Sequence, residues 1–134
     1  MKYLELKRKQ QQEVNEFPMM FAFNHTQFRA GMERLGVTEA KKELYSIGGG
    51  GYIRKTDSKA LNELAKRHEK EMEHAMTDTQ FLIDAIEYEL GNHEFCITYD
   101  PAETVNALNL DLDDPVHIEC FDIARRQYLA HVNV

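Results

Sequence analysis

The sequence contains no tryptophan, only three prolines and two cysteines, and no long apolar run. A membrane-spanning helix needs about 20 mostly apolar residues, so we expect no membrane association. The N-terminal residues lack the apolar core of a secretory signal. Two cysteines are also too few for a disulfide framework. We therefore expect a protein of the reducing cytoplasm.

The length and composition are typical of one folded domain. A chain of 134 residues with 43% apolar side chains can bury a core without disulfides or metals. This apolar content also argues against wholesale disorder. We predict a single domain over residues 1–134.

Positive charge is scarce in the second half of the chain. Residues 1–67 carry 13 lysines and arginines against 8 acidic residues, whereas residues 68–134 carry 3 against 15. Such asymmetry is typical of two faces that attract each other within one domain. It also fits an acidic surface that imitates nucleic acid and occupies a basic groove on a partner. The net charge of −7 argues against strong binding of nucleic acid itself, which depends on attraction to phosphates.

Capping residues and helical periodicity predict about six helices. Asn24 and Gln27 form a capping pair for a helix over residues 25–35, and Gly36 ends it. A capping box at residues 77–80 opens another helix. Asp100 and Asp114 each precede a proline at a first helical position. The six predicted helices cover residues 2–16, 25–35 and 58–76, a stretch from the capping box to Leu90, a short stretch from Pro101, and a last one from Pro115.

Three short segments predict β-strands. Met19–Phe23 is an apolar run too short for a helix and predicts a buried strand. Residues 44–47 and 52–55 flank a glycine tract and predict a hairpin. The fold class is therefore α+β, mainly helical, with a small antiparallel sheet of two or three strands.

The glycine tract is the strongest candidate for a functional surface. Four successive glycines either turn sharply or let another molecule approach the backbone. Their N–H groups suit a phosphate, but the spacing is not that of a Walker or dinucleotide-binding loop, and a strand follows where those loops need a helix. Three interpretations stay open: a loop without a ligand, a contact surface for a macromolecule, and a phosphate or nucleotide site. The candidate binding residues are Tyr45, Gly48, Gly49, Gly50, Gly51, Tyr52, Arg54 and Lys55.

The aromatic and basic residues beside the tract give different expectations for a hairpin that binds nucleic acid and for one that does not. If the hairpin binds nucleic acid, we expect Tyr45 and Tyr52 to stack on bases while Arg54 and Lys55 meet phosphates. If it does not, we expect the two tyrosines to pack across the hairpin.

The two cysteines occur in matching tetrapeptides, His93-Glu94-Phe95-Cys96 and His117-Ile118-Glu119-Cys120. Together His93, Cys96, His117 and Cys120 match the ligand number of a Cys₂His₂ zinc site, although their order differs from that of zinc fingers. Cys96 with His93 or His117 as base also has the composition of a nucleophilic pair. We favour the interpretation that both are buried or surface thiols beside unremarkable histidines, since free cysteine is a common small core residue. We expect no metal, no cofactor and no enzymatic activity.

Three segments, residues 21–36, 45–55 and 89–96, resemble a family of short uncharacterised proteins encoded by bacterial phages and mobile elements. The resemblance spans about residues 1–110 and implies a bacterial or phage origin and an accessory role. Together with the hairpin, it predicts a non-enzymatic protein that acts by protein–protein contact. Nucleic-acid or phosphate binding and a zinc-stabilised domain are the alternatives. The oligomeric state stays open, with a homodimer among the options.

Overall fold

A computed structural model describes residues 2–132 of the chain. The predicted class is confirmed: within these residues the fold is α+β and mainly helical, with one three-stranded antiparallel sheet. Every helix in this range is too short or too polar to cross a membrane. The elements in chain order are α1 (Tyr3–Glu16), β1 (Met20–Phe21), α2 (His25–Leu35), α3 (Ala40–Glu43), β2 (Leu44–Gly48), β3 (Gly51–Arg54), a 3-10 turn (Lys55–Asp57), α4 (Ser58–Ala75), α5 (Thr79–Asn92), α6 (Phe95–Thr98), α7 (Ala102–Leu108) and α8 (Pro115–Val132).

The predicted caps of α2 are confirmed, whereas α5 is capped by Asp78 and not by Thr77, and Pro101 precedes α7 and does not open it. The Asn24 side chain accepts a hydrogen bond from the backbone N–H of Gln27, and Gly36 ends α2 with a left-handed φ of 70°. Asp78 accepts hydrogen bonds from the N–H groups of Gln80 and Phe81 at the start of α5. The prediction of about six helices omitted α3 and α6, which have four residues each.

The chain divides into two compact units. The sheet unit comprises Gln11–Glu69, and the helical unit comprises the rest of the chain. Both unit boundaries fall inside helices, one in α1 and one in α4. The single domain over residues 1–134 stays a prediction.

The sheet unit has the strand order β1-β3-β2, so β3 lies in the middle. Met20 is paired with Tyr52, and that face of the sheet packs on α2, where the ring of Phe28 meets Tyr52 edge-on at 5.2 Å. Met20 is fully buried there, together with Leu35 and the side chains Val37 and Leu44. This face of the sheet is therefore covered by α2, and on the opposite face Ile53 is also buried.

The prediction that Met19–Phe23 forms one buried strand is only partly correct. The strand comprises Met20–Phe21 alone, and burial alternates with the pleat. Met20 is buried, whereas Phe21 is 56% exposed on the other face. Phe23, beyond the strand, is 77% exposed.

The helical unit is built around the pairing of α5 with α8. Leu82, Ile86 and Leu90 of α5 form a buried cluster with Ala124 and Tyr128 of α8. A second cluster holds the first turns of α1 on α5, and it consists of Tyr3, Leu6, Phe81 and Ala85.

Candidate functional site

The glycine tract forms the tip of the hairpin between β2 and β3. Gly48, Gly49 and Gly50 have φ values of 85°, 58° and 79°, in the left-handed region that other residues adopt only at a cost. The pairing of β2 with β3 is irregular between Ser46 and Gly48, where Ile47 lies outside the regular register. The tract is therefore a tight turn that requires glycine.

Side chains of the same unit lie directly against two of the glycines. A Cβ atom added to Gly50 would lie 2.6 Å from Cε1 of Phe23. One added to Gly51 would lie 2.8 Å from Cγ1 of Ile47 and 3.1 Å from Cε1 of Phe21. The close approach that glycine permits at these two positions is thus made by apolar side chains of this chain, whereas a Cβ at Gly48 or Gly49 would meet nothing within 4 Å.

These side chains belong to an exposed apolar surface. Phe21 is paired with Gly51 and Tyr45 with Ile53, so both point to the face opposite α2. We name four side chains the hairpin patch, and their exposed fractions are 56% for Phe21, 77% for Phe23, 49% for Tyr45 and 42% for Ile47. Because a large side chain offers about 150–250 Å² when fully exposed, the patch presents roughly 400 Å² to solvent.

Both cations beside the tract are engaged within the sheet unit. Arg54 donates from Nε to Asp57 over 2.7 Å and from a terminal nitrogen to the carbonyl of Leu35. Lys55 donates to the carbonyl of Lys41, and its Nζ lies 5.0 Å from the ring centre of Tyr45. A phosphate at the tip would have to compete with these contacts.

The two tyrosines of the hairpin lie on opposite faces of the sheet. Ser46, not Tyr45, is paired with Tyr52. Tyr52 is half-buried against Phe28, while Tyr45 is exposed beneath Lys55. The tyrosines therefore neither pack across the hairpin nor form one stacking surface for bases.

The two histidines of the tetrapeptides have separate hydrogen-bond partners. His93 lies 3.1 Å from Glu89 through Nε2 and 2.9 Å from Glu103 through Nδ1. His117 accepts the backbone N–H of Asp111 at Nδ1. In residues 2–132, neither histidine belongs to a group of three or more side chains placed to hold one metal ion.

The two cysteines are free thiols, one buried and one partly buried. Cys120 is buried in the helical core, where burial raises the pKa of its thiol and makes the reactive thiolate scarce. Cys96 is partly buried against the same core. Like the histidines, neither lies in a group of potential metal ligands within the described residues.

A buried carboxylate that the sequence analysis did not single out lies in the helical unit. Glu89 is 2% exposed and accepts hydrogen bonds from the hydroxyl of Tyr3 over 2.7 Å, from Lys7 over 3.5 Å and from Asn92 over 3.4 Å. The sequence carried a signal for it, because Glu89 follows Leu82 and Ile86 along the apolar stripe of α5. A carboxylate at such a position needs donors from elsewhere in the chain.

Comparison with known proteins places the chain in a family. No curated protein and no solved structure matches it. The model of a family of unknown function, DUF7659, matches residues 2–126, nearly the whole chain. This match includes both the glycine tract and the His93 and Cys96 tetrapeptide. The chain therefore belongs to DUF7659, a family of unknown function.

Proposed function

We propose that the chain is a non-enzymatic binding protein that acts by protein–protein contact at the hairpin patch. The observation that carries this proposal is the exposure of four large apolar side chains together on one end of the sheet. Exposed apolar surfaces of a few hundred Å² on soluble proteins are often interaction sites. Three of the four side chains are aromatic, the type that contributes most to interface energies.

The hairpin patch is held in shape before any partner binds. Ala22 donates its N–H to the carbonyl of Gly50 over 2.9 Å, which ties the chain between Phe21 and Phe23 to the tip. The N–H of Phe23 is in turn bonded to the side chain of Gln27. A surface ordered in advance loses less conformational entropy on binding, so these contacts favour recognition by the patch.

The same geometry makes phosphate or nucleic-acid binding at Gly48–Gly51 the weaker alternative. Arg54 and Lys55 already have partners, and Phe23 lies on Gly50. Filter binding of labelled single-stranded DNA at low and moderate salt distinguishes the two functions. We expect no salt-dependent binding, because salt-dependent affinity is the signature of phosphate contacts.

The proposal extends to the setting in which the protein acts. The resemblance of residues 21–36, 45–55 and 89–96 supports an accessory protein of a bacterial phage or mobile element, working in the cytoplasm. The excess of 15 acidic over 3 basic residues in residues 68–134 supports an action against a host system that binds nucleic acid. An acidic surface attracts such a partner by long-range electrostatics.

The experiment compares two isoleucines of similar exposure. Ile47 lies in the hairpin patch and is 42% exposed, while Ile118 on α8 is 50% exposed. Wild type, Ile47→Ser and Ile118→Ser would each carry a photo-reactive cross-linker at position 23 and be incubated with bacterial lysate. We expect the cross-linked products of wild type to persist in Ile118→Ser and to fall at least tenfold in Ile47→Ser. Equal yields from both variants would contradict the proposal.

A further inference from the structure

We infer that a second copy of this chain binds along the β2 edge of the hairpin patch, joined by antiparallel pairing of the two β2 strands. This inference rests on the proposed function and names its partner. The strand order β1-β3-β2 leaves the outer edge of β2 without a strand beside it in residues 2–132. Such an edge is a template for pairing with another chain.

The sequence of β2 leaves its edge open to pairing. Edge strands of soluble proteins usually carry a lysine, a proline or another charged residue that prevents association. Leu44–Gly48 reads Leu-Tyr-Ser-Ile-Gly and contains none of these. All its residues after Leu44 are exposed. The edge is thus uncharged and accessible, and its sequence contains no residue that would prevent pairing with another strand.

The charge pattern makes this edge complementary to itself. In an antiparallel pairing centred on Ser46, Tyr45 of one copy lies opposite Ile47 of the other, an aromatic and β-branched pair of the kind that stabilises sheets. Beyond the strand, Lys42 and Glu43 would face the glycine tip of the second copy, which has no side chains. No two like charges are opposed, and no charge is buried.

The pairing also joins the two hairpin patches. Phe21 and Tyr45 point to the same face of the sheet, and Ile47 contacts that face at Gly51. A two-fold axis through Ser46 keeps both copies' patches on one face of a six-stranded sheet. The pairing brings Tyr45 and Ile47 of the two copies into contact, and the rest of each patch, which exposes roughly 400 Å², stays open on that face.

Two features limit the assembly to a dimer. Helix α3 before β2 and the glycine tip after it limit the pairing to a few residues. The outer strands of the combined sheet would be the two copies of β1, which have only two residues each. Closed two-fold symmetry then leaves no long edge for further growth.

The first test is a cysteine placed on the two-fold axis. Opposed residues of an antiparallel pair have Cα atoms about 4.5–5.5 Å apart, within the range of a disulfide. In a Cys96→Ser background, we expect Ser46→Cys to form a cross-linked dimer in the presence of oxygen and a copper catalyst. The control is Thr56→Cys, which is exposed in the same unit but lies outside the pairing. Equal cross-linking of the two variants would overturn the inference.

The second test places like charges at the same point. Sedimentation velocity across a micromolar concentration range should show a monomer–dimer equilibrium for wild type and for Ser46→Val. Because the two introduced lysine side chains would face each other across the axis, we expect Ser46→Lys to weaken dimerisation at least tenfold at low salt. A dimer unaffected by Ser46→Lys overturns the inference, as does a wild-type protein that stays monomeric.

The two proposals fail in different ways. Ser46→Lys leaves all four side chains of the hairpin patch in place. If wild type is monomeric but still forms cross-links that Ile47→Ser loses, the patch binds another protein and only the second copy is wrong. If neither dimerisation nor those cross-links occur, both the second copy and the proposed function are wrong.

Discussion

Tyr3 donates its hydroxyl hydrogen to the carboxylate of Glu89 over 2.7 Å, which fastens the first turn of α1 to α5. The carboxylate is almost completely buried, and burying an unpaired charge is costly. Lys7, four residues after Tyr3, approaches the same oxygen at 3.5 Å. One face of α1 therefore supplies both a neutral donor and a cation to a single buried acid.

Removing the Tyr3 hydroxyl should destabilise the protein. Tyr3→Phe keeps the packing of the ring but takes away a hydrogen bond to a charged group, which contributes about 1.5–3 kcal/mol. Urea unfolding measures the loss. The control is Tyr99→Phe, whose ring is 64% exposed, and we expect a change within about 0.5 kcal/mol. Equal effects of the two substitutions would show that the hydroxyl of Tyr3 does not stabilise Glu89.

The stability that Glu89 contributes should disappear in acid. Burial is the largest influence on its pKa and raises it, but hydrogen bonds from Tyr3, Asn92 and Lys7 together hold that pKa below its usual value. A carboxyl whose pKa is lower in the folded protein than in the unfolded chain stabilises the fold fully at pH values above the unfolded pKa, about 4.3. This stabilisation is lost as the pH falls through the lower pKa of the folded state.

Urea unfolding of wild type and Glu89→Gln from neutral pH downwards measures this contribution. We expect the difference in unfolding free energy to be largest near neutral pH and to shrink below about pH 4. Glu119→Gln is the control, because that side chain is exposed on α8. A difference that does not change with pH would contradict the role assigned to Glu89.

Alanine substitutions at the tip should separate backbone strain from the packing of Phe23. Gly49 and Gly50 both have positive φ, so each substitution to alanine should cost about 1–2 kcal/mol. A Cβ at Gly49 meets nothing within 4 Å, whereas one at Gly50 meets the Phe23 ring. Both variants should lose similar stability, but only Gly50→Ala should displace the ring, as seen in its NMR signals. An unchanged Phe23 signal in Gly50→Ala would contradict this account.

Two helical glycines should respond to alanine in opposite directions. A Cβ at Gly31 would lie 2.7–2.8 Å from three atoms of the buried Met20 side chain. We expect overpacking in Gly31→Ala to lower the free energy of unfolding by about 1–3 kcal/mol. The higher helix propensity of alanine offsets about 1 kcal/mol of this loss. A Cβ added to Gly91 would lie 3.6 Å from Tyr128, which is an ordinary contact distance. We therefore expect Gly91→Ala to raise the free energy of unfolding by up to about 1 kcal/mol. Thermal unfolding compares them, and a stabilised Gly31→Ala would disprove the tight contact with Met20.

The elements that depend on local interactions could be predicted from the sequence. Asn24 and Gly36 act within a few residues of the helix ends they cap, so their identity alone locates those ends. The short helix α6 could not be found in this way. It lies between Glu94 and Tyr99, which adopt left-handed φ values of 54° and 53° although neither is glycine. Only the surrounding packing imposes such conformations.

The candidate site was predicted in part. Tyr45 and the glycines were identified because a glycine tract between two strands is a local signal. Phe21 and Phe23 were missed because an apolar run predicts burial, and only the sheet shows that the face opposite α2 is exposed near the hairpin tip. The partners of His93 were likewise hidden, because Glu103 lies ten residues away on another helix.

The division of the chain has a consequence for the order in which the protein forms during translation. The sheet unit is one continuous stretch, whereas the helical unit needs residues from both sides of it. Tyr3 precedes its partner Glu89 by 86 residues, which corresponds to a delay of roughly 4–20 s at ribosomal rates of about 5–20 residues per second. We expect the hairpin to assemble while the first turn of α1 still lacks its buried acceptor, so the nascent chain presents its hairpin patch before its helical core is complete.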